Sequence, residues 1–326
     1  MIIQLYNRDE IERVIRLDTR LIQEVETAFT ALSTKRVTMP PIMRIDMPEH
    51  NGEVDIKSAY IEGVDSFAVK LSSGFFNNPK IGLPSANGMM ILLNSKTGEP
   101  QAIFADNGLL TDLRTAAAGA VAAGHLSRQN SRVAGIIGTG SQARYQLQAL
   151  LAVRPIEKAF VYGRSKEKTE RFKTDMEGEL GIPVHVALEP EDVVRNSDIV
   201  VTTTPSTEPI VNGDWLSPGV HVTAMGSDAE HKKELDERAI EASDLFVCDT
   251  IEQSKRLGEL RNLQNDKLVH SAVELGDITS GHKPGRSSED QITICDLTGT
   301  GVQDTVIARY AFQLLEYKEE DIHERR

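Results

Sequence analysis

The sequence predicts an α/β protein in which a doubly wound parallel-sheet domain is inserted into an antiparallel α+β domain. Between Val37 and Ile103, short apolar runs such as FAVKLSSG and GMMILLN are broken by Gly, Asn and Pro, the texture of antiparallel strands and turns. From Ser131 the chain alternates strand and helix, the pattern of a parallel sheet covered on both faces. The segment ITICDLTGTGVQDTVIARYAFQLLE then reads as strand, Gly-rich turn and helix, and that helix is expected to return to the first domain. The expected division is 1–127 with 300–326 for the antiparallel domain and 128–299 for the parallel one.

Taken in order, Ile11, Val14, Ile15, Leu21, Ile22, Val25 and Phe29 recur at helical spacing, so the chain up to about residue 32 reads as helix. TGEP at 97–100 is a turn between two strands. LLTDLRTAAAGAVAAGHLS is an Ala-rich helix for which Thr111 or Asp112 would supply the cap. SRVAGIIG, KAFVYG, IPVHVA, DIVVTTTP, HVTAMG and DLFVCD read as strands. QARYQLQALLAV, KEKTERFKTDMEGEL and PEDVVRNS read as helices between them.

The 326 residues suffice for two domains with substantial cores. MIIQLYNRDE lacks the basic and apolar regions of a signal peptide, and no run of about eighteen apolar residues exists to span a membrane. Cys248 and Cys295 are too few for a disulfide framework and read as core thiols in a reducing cytoplasm. A net charge of −13 argues against nucleic acid and anionic membrane as partners. The C-terminal EYKEEDIHERR reads as a solvated helix end.

The clearest motif is Gly138-Thr139-Gly140-Ser141-Gln142-Ala143, set between a Val/Ile-rich strand and a helix. Gly138 permits a tight turn, Gly140 lets backbone approach a pyrophosphate, and Ala143 keeps helix and strand close. Helix amides then face the phosphates with the helix dipole behind them. This is the loop of a Rossmann-type domain. At the tip of the next strand, where an NAD-specific site places Asp or Glu, stand Gly163, Arg164 and Ser165, with Lys166 and Lys168 close by. A guanidinium and a hydroxyl suit a 2′-phosphate, so NADP(H) is favoured over NAD(H). Thr203 and Thr204 end a further strand, where they either line the cofactor groove or cap the strand.

Three basic residues with apolar or small neighbours, Arg44, Lys70 and Arg114, each need a partner if buried. A substrate carboxylate would serve, and so would internal salt bridges. Asp228 follows a strand and a glycine, placed to exchange a proton with a substrate amine or to cap a helix. Lys232, four residues on, can pair with it, and His231 reads as a surface residue. Gly299, Thr300 and Gly301 form a second turn that allows close backbone approach, under a nicotinamide or simply at a helix start.

VKLSSGFFNNP, LLTDLRTAAAGAVAA, IIGTGSQA, TAMGSDAEHKKELD and DLTGTGVQD, in this order over nearly the whole chain, resemble the ornithine cyclodeaminase/μ-crystallin family, most of all its ectoine-utilisation branch. The resemblance implies a Rossmann domain inserted in a dimerisation and substrate domain, and a homodimer built through the antiparallel part. It implies that Arg44, Lys70 and Arg114 hold a substrate carboxylate and that Asp228 is the acid/base, with Lys70 a second catalytic candidate. It places Lys232 near the cofactor, and Met225 and Thr300 with it. The implied activity is a nicotinamide-dependent cyclodeaminase or imine/ketimine reductase acting on a small amino acid or its imine. The chain departs from ornithine-specific members at VDIKS, with Asp55 and Lys57 where an acidic residue is expected. Two alternatives stand beside this reading: an amino-acid dehydrogenase with net redox turnover, and a non-catalytic binding protein of NADP(H) or a small ligand.

Overall fold

The structure, a computed structural model, describes residues 3–261, 263 and 265–324, and the side chains of all of these except 266 and 318–324. It divides into two compact units, Met1–Arg114 with Thr300–Arg326, and Thr115–Gly299. The division falls inside a helix, at Arg114–Thr115 rather than at the expected 127–128.

In chain order the elements begin with β1 (Gln4–Asn7), α1 (Arg8–Glu12), α2 (Thr19–Thr34), β2 (Val37–Thr38), β3 (Met43–Met47), β4 (Gly52–Ile61), β5 (Ser66–Phe75), β6 (Ala86–Asn94), β7 (Pro100–Ala105) and α3 (Leu109–Leu126). There follow β8 (Val133–Ile137), α4 (Ser141–Val153), β9 (Lys158–Tyr162), α5 (Lys166–Leu180), β10 (Val184–Val186), α6 (Pro190–Arg195), β11 (Ile199–Thr202) and β12 (His221–Ala224). The chain closes with α7 (Glu237–Glu241), β13 (Leu245–Cys248), α8 (Ile251–Arg256), α9 (Asp266–Ser271), β14 (Val273–Glu274), α10 (Leu275–Thr279), β15 (Thr293–Asp296) and α11 (Gly301–Glu324).

The first unit is a sheet ordered β1-β7-β6-β5-β4-β2, with β3 also paired to β4. All pairs are antiparallel except β1, which runs parallel to β7. The expected helix up to residue 32 is therefore three elements. Gln4–Asn7 is drawn into the sheet by pairing with 102–105, a long-range contact that local periodicity does not encode. The helix α2 is the true amphipathic piece: Asp18 accepts from the Leu21 amide at its start, and Leu21, Ile22, Val25, Ala28 and Phe29 are buried on one face. At the start of α3, Asp106 takes the capping role, accepting from the Leu110 amide at 2.6 Å, while Thr111 and Asp112 lie inside the helix. Asn107 (φ 53°) and Gly108 (φ 85°) in left-handed conformations bend the chain so that Asp106 can reach.

Strand periodicity puts Asp55, Lys57, Ala59 and Ile61 on one buried face of β4, and Ser66, Ala68 and Lys70 on the matching face of β5. The helix α11 lies on these strands. The Thr305 hydroxyl donates to the Ala59 carbonyl at 2.7 Å and accepts from the Ala68 amide at 3.1 Å. A Cβ at Gly301 would stand 2.5 Å from the Ser58 carbonyl carbon, so the close approach that glycine permits here is to β4.

The second unit is an all-parallel sheet ordered β10-β9-β8-β11-β12-β15-β13-β14. One core layer joins Ile136, Leu147, Leu150, Val161, Phe172, Met176 and Val201; the other joins Val200, Val222, Leu235, Ile240 and Ile294. The Ala-rich body of α3 packs here. A Cβ at Gly119 would collide with Gln146 of α4, whose side-chain amide donates to the Thr115 carbonyl at 3.0 Å. Cys248 and Cys295 are free, buried thiols, which burial holds well above the usual thiol range. No helix among the described residues is long and apolar enough to cross a membrane. The reading of EYKEEDIHERR falls largely outside the described side chains; backbone helix runs to Glu324.

Candidate active site

In the second unit, strand order reverses between β8 and β11, the switch point where ligands bind beyond the strand ends of such sheets. Gly138 stands there with φ 126°, and a Cβ on it would lie 2.3 Å from the Thr203 hydroxyl. Gly140 opens α4 with no side-chain cap, and nothing lies within 4 Å of where its Cβ would be. Ser141 and Gln142 form the first turn of that helix. This open, side-chain-free start of a thirteen-residue helix fits a dinucleotide pyrophosphate. Gly163 follows β9, and a Cβ on it would meet Thr139 at 2.6 Å. Arg164 is exposed, with no hydrogen bond or ion pair among the described residues, and Ser165 caps α5 through the Lys168 amide. Thr204 is engaged by the Glu234 carboxylate, and the half-buried Met225 donates its amide to the Thr202 carbonyl.

Asp228 lies in a loop after β12, and no helix begins there; α7 starts at Glu237, capped by Asp236. Lys232, buried, donates to Asp228 at 2.7 Å, and His231 is exposed.

In the first unit the cations gather around one carboxylate. Lys70 lies 3.0 Å from Asp304, and Arg114 donates to the same group at 2.9 Å and to the Gln303 side-chain oxygen at 3.0 Å. Lys57 stands directly across from Lys70 in the β4–β5 register. Like charges opposite one another on a buried face oppose folding, so their retention points to an anion. Burial first, then Arg114, pull the Lys70 ammonium down to about 7, outweighing Asp304. Burial alone would raise Asp304, but Lys70, Arg114 and Lys57 together hold it below the usual carboxylate range. The Gln303 amide nitrogen and the Thr300 hydroxyl are buried with no hydrogen-bond partner among the described residues. Thr300, read from sequence as a cofactor contact, belongs to this unit. Arg44 is not on Asp304: it makes a two-pronged ion pair with Asp55, at 2.7 and 2.9 Å, and lies 3.7 Å from Glu53.

Sequence reasoning missed Gln303 and Asp304, although the motif containing them stood out, and noted Lys57 only as a departure. Their contacts to Arg114 and Lys70 span 189 to 234 residues of chain, beyond any local pattern.

Residues 3–319 match the model of the ornithine cyclodeaminase/mu-crystallin family. A cyclodeaminase of Sinorhizobium fredii, itself uncharacterized, is 50% identical over 96% of both chains. Among solved structures, Delta(1)-pyrroline-2-carboxylate reductase of Thermococcus litoralis, in complex with NADH and L-proline, is similar with a TM-score of 0.91 at 32% identity, covering 97% of this chain and 98% of that one. An archaeal alanine dehydrogenase dimer with bound NAD is similar at 0.89 and 31% identity, over 98% of both chains.

Proposed function

The chain belongs to the ornithine cyclodeaminase/mu-crystallin family, and we propose that it is a nicotinamide-dependent enzyme that reduces the C=N bond of a small imino acid. The observation that carries this reading is the set of buried donors around Asp304: Lys70, Arg114, the Gln303 amide and the Thr300 hydroxyl. A planar carboxylate answers such a set, and Arg114 offers it a fork. Gly138, Thr139, Gly140, Ser141 and Gln142 hold the dinucleotide; Thr203 lines its groove. A nicotinamide supplies hydride chemistry when bound. Asp228 gives a proton to the imine nitrogen, and Lys232, which donates to it at 2.7 Å, orients it. Lys70 and Arg114 fix the carboxylate, so that the adjacent carbon is presented in one orientation.

Within the family's chemistries, an uncharged substrate side chain fits best. Cyclising deamination of a diamino acid calls for an anion to receive its second ammonium, and the Asp55 charge is already matched by the two-pronged Arg44 pair. Net NADPH oxidation with Delta(1)-pyrroline-2-carboxylate is the expected result and would support imine reduction. Ammonia release from L-ornithine at constant cofactor redox state would replace it with cyclodeamination, and cofactor binding without turnover of any imine or amino acid would leave a binding protein.

The bare guanidinium of Arg164 and the absence of an acid at that strand end favour NADP(H). Arg164→Ala is expected to weaken NADPH by about 10- to 100-fold, the worth of a charge-assisted contact, and NADH by far less. Equal losses in fluorescence titrations would refute the preference. Exposed Met43, Ile45, Ile81 and Leu83 on the antiparallel unit support a homodimer through that unit, and the two buried free thiols support a reducing cytoplasm.

Lys70 gives a pH dependence. An anion beside it raises its proton affinity, so carboxylate binding is strongest below about pH 7 and falls as Lys70 deprotonates above it. The inhibition constant of a non-reducible cyclic carboxylate should rise about tenfold per pH unit there. Lys70→Arg, which stays protonated, should flatten the profile; an unchanged profile would remove Lys70 as its source.

A further inference from the structure

We infer that Glu234 is a positioning residue whose carboxylate staples two strand exits and thereby fixes the loop that carries Asp228. The inference rests on the reading of Asp228 as the proton donor.

The strands β11 and β12 are parallel neighbours in register, Thr202 beside Ala224. Beyond them the chain leaves through Thr203-Thr204 on one side and Met225-Gly226 on the other. The fully buried Glu234 side chain enters between these exits. One of its oxygens accepts from the Thr202 hydroxyl at 2.6 Å and the Gly226 amide at 2.7 Å. The other accepts from the Thr204 amide at 2.6 Å and the Thr204 hydroxyl at 2.8 Å. Gly226 is two residues from Asp228. A Cβ on it would stand 2.0 Å from the Thr204 carbonyl oxygen and 2.6 Å from Glu234, so the fit requires glycine.

The staple is itself anchored. The Glu234 amide donates to the Glu259 carboxylate at 2.8 Å, and the Glu259 amide donates to Asp296, at the end of β15, at 2.9 Å. Between staple and tip the loop is closed on itself: the Ser227 hydroxyl donates to the Lys232 carbonyl at 3.0 Å, and the Lys233 amide to the Ser206 carbonyl at 2.8 Å. Asp228 therefore hangs from a frame whose two ends are both set by Glu234. A carboxylate is specifically suited to this, because two backbone amides address opposite oxygens. A glutamine has one oxygen and would turn an NH₂ group toward one of those amides.

The test is a double-mutant cycle on the full chain. Glu234→Gln is expected to lower kcat about 10- to 100-fold, the usual cost of displacing a catalytic group by about an ångström, with little change in KM for Delta(1)-pyrroline-2-carboxylate. In an Asp228→Asn background the same change should cost less than about twofold, since the residue it positions is gone. A factor that is equal in both backgrounds, or a loss confined to Tm, would overturn the inference. Thr202→Val, nearly isosteric, deletes one bond of the staple and serves if Glu234→Gln does not fold. Its smaller kcat loss, about 3- to 10-fold, should be masked in the same way, and an unmasked loss overturns the inference equally. If Asp228→Asn alone keeps the wild-type rate, the reading of Asp228 fails first. That outcome is told apart because it appears in a single variant, before the cycle is closed.

Discussion

Asp228→Asn is expected to lower kcat by about 10²- to 10⁴-fold, the range that a positioned acid contributes, while dinucleotide affinity stays within a few-fold. Asparagine keeps the size of the side chain and an acceptor oxygen for Lys232, which sits 2.7 Å away and is itself buried. The variant thus removes the exchangeable proton and leaves the loop intact. Alanine would strip Lys232 of its acceptor and confuse chemistry with stability. Steady-state rates alongside a fluorescence titration of cofactor separate the two effects. A variant that retains the wild-type rate would take Asp228 out of the mechanism.

Asp304→Ala is expected to be the most destabilising single change in the first unit, by about 3–5 kcal/mol, because it leaves buried cations without their anion. Lys70, Arg114 and Lys57 all act on this carboxylate. The loss should depend on pH. The Lys70 ammonium, at about 7, is already poised to shed its proton, and deleting Asp304 lowers it further. Mildly alkaline conditions neutralise Lys70 and relieve the repulsion; mildly acid conditions force it to stay charged. Destabilisation is therefore larger on the acid side, measurable as a Tm difference between the two. A loss of the same size on both sides, or below about 1 kcal/mol, would mean that the cations do not depend on Asp304.

The parts of this architecture that are written locally were legible in the chain. The turn Gly138-Thr139-Gly140 announces itself through residue types that only a tight turn and a backbone-lined loop require, and the structure gives Gly138 the positive φ that demands glycine. The helices α4 and α5 have periodicity and length, and α5 also has its Ser165 cap. The short helices α7, α8, α9 and α10, of five or six residues each, have too few turns for an apolar stripe and went unread. The strand β1 and the Asp106 cap depend on what other segments do. The clamp was half legible. Lys70 and Arg114 stand out as charges among apolar neighbours, but their meeting on Asp304 joins β5, α3 and α11. Arg44 looks equally exceptional in sequence, yet it is met by Asp55 across the β3–β4 register. Residue type shows that a charge needs a partner; only the fold decides which partner it finds.

The buried cations of the first unit are proposed to hold a substrate carboxylate. The most direct measurement compares kcat/KM for Delta(1)-pyrroline-2-carboxylate with that for 1-pyrroline, the same ring without the carboxylate. A preference of about 10³-fold or more for the acid is expected in the wild-type enzyme, the worth of two charge-assisted contacts, with its collapse toward unity in Arg114→Ala. Comparable rates for both rings in the wild type, or a preference untouched by Arg114→Ala, would contradict it.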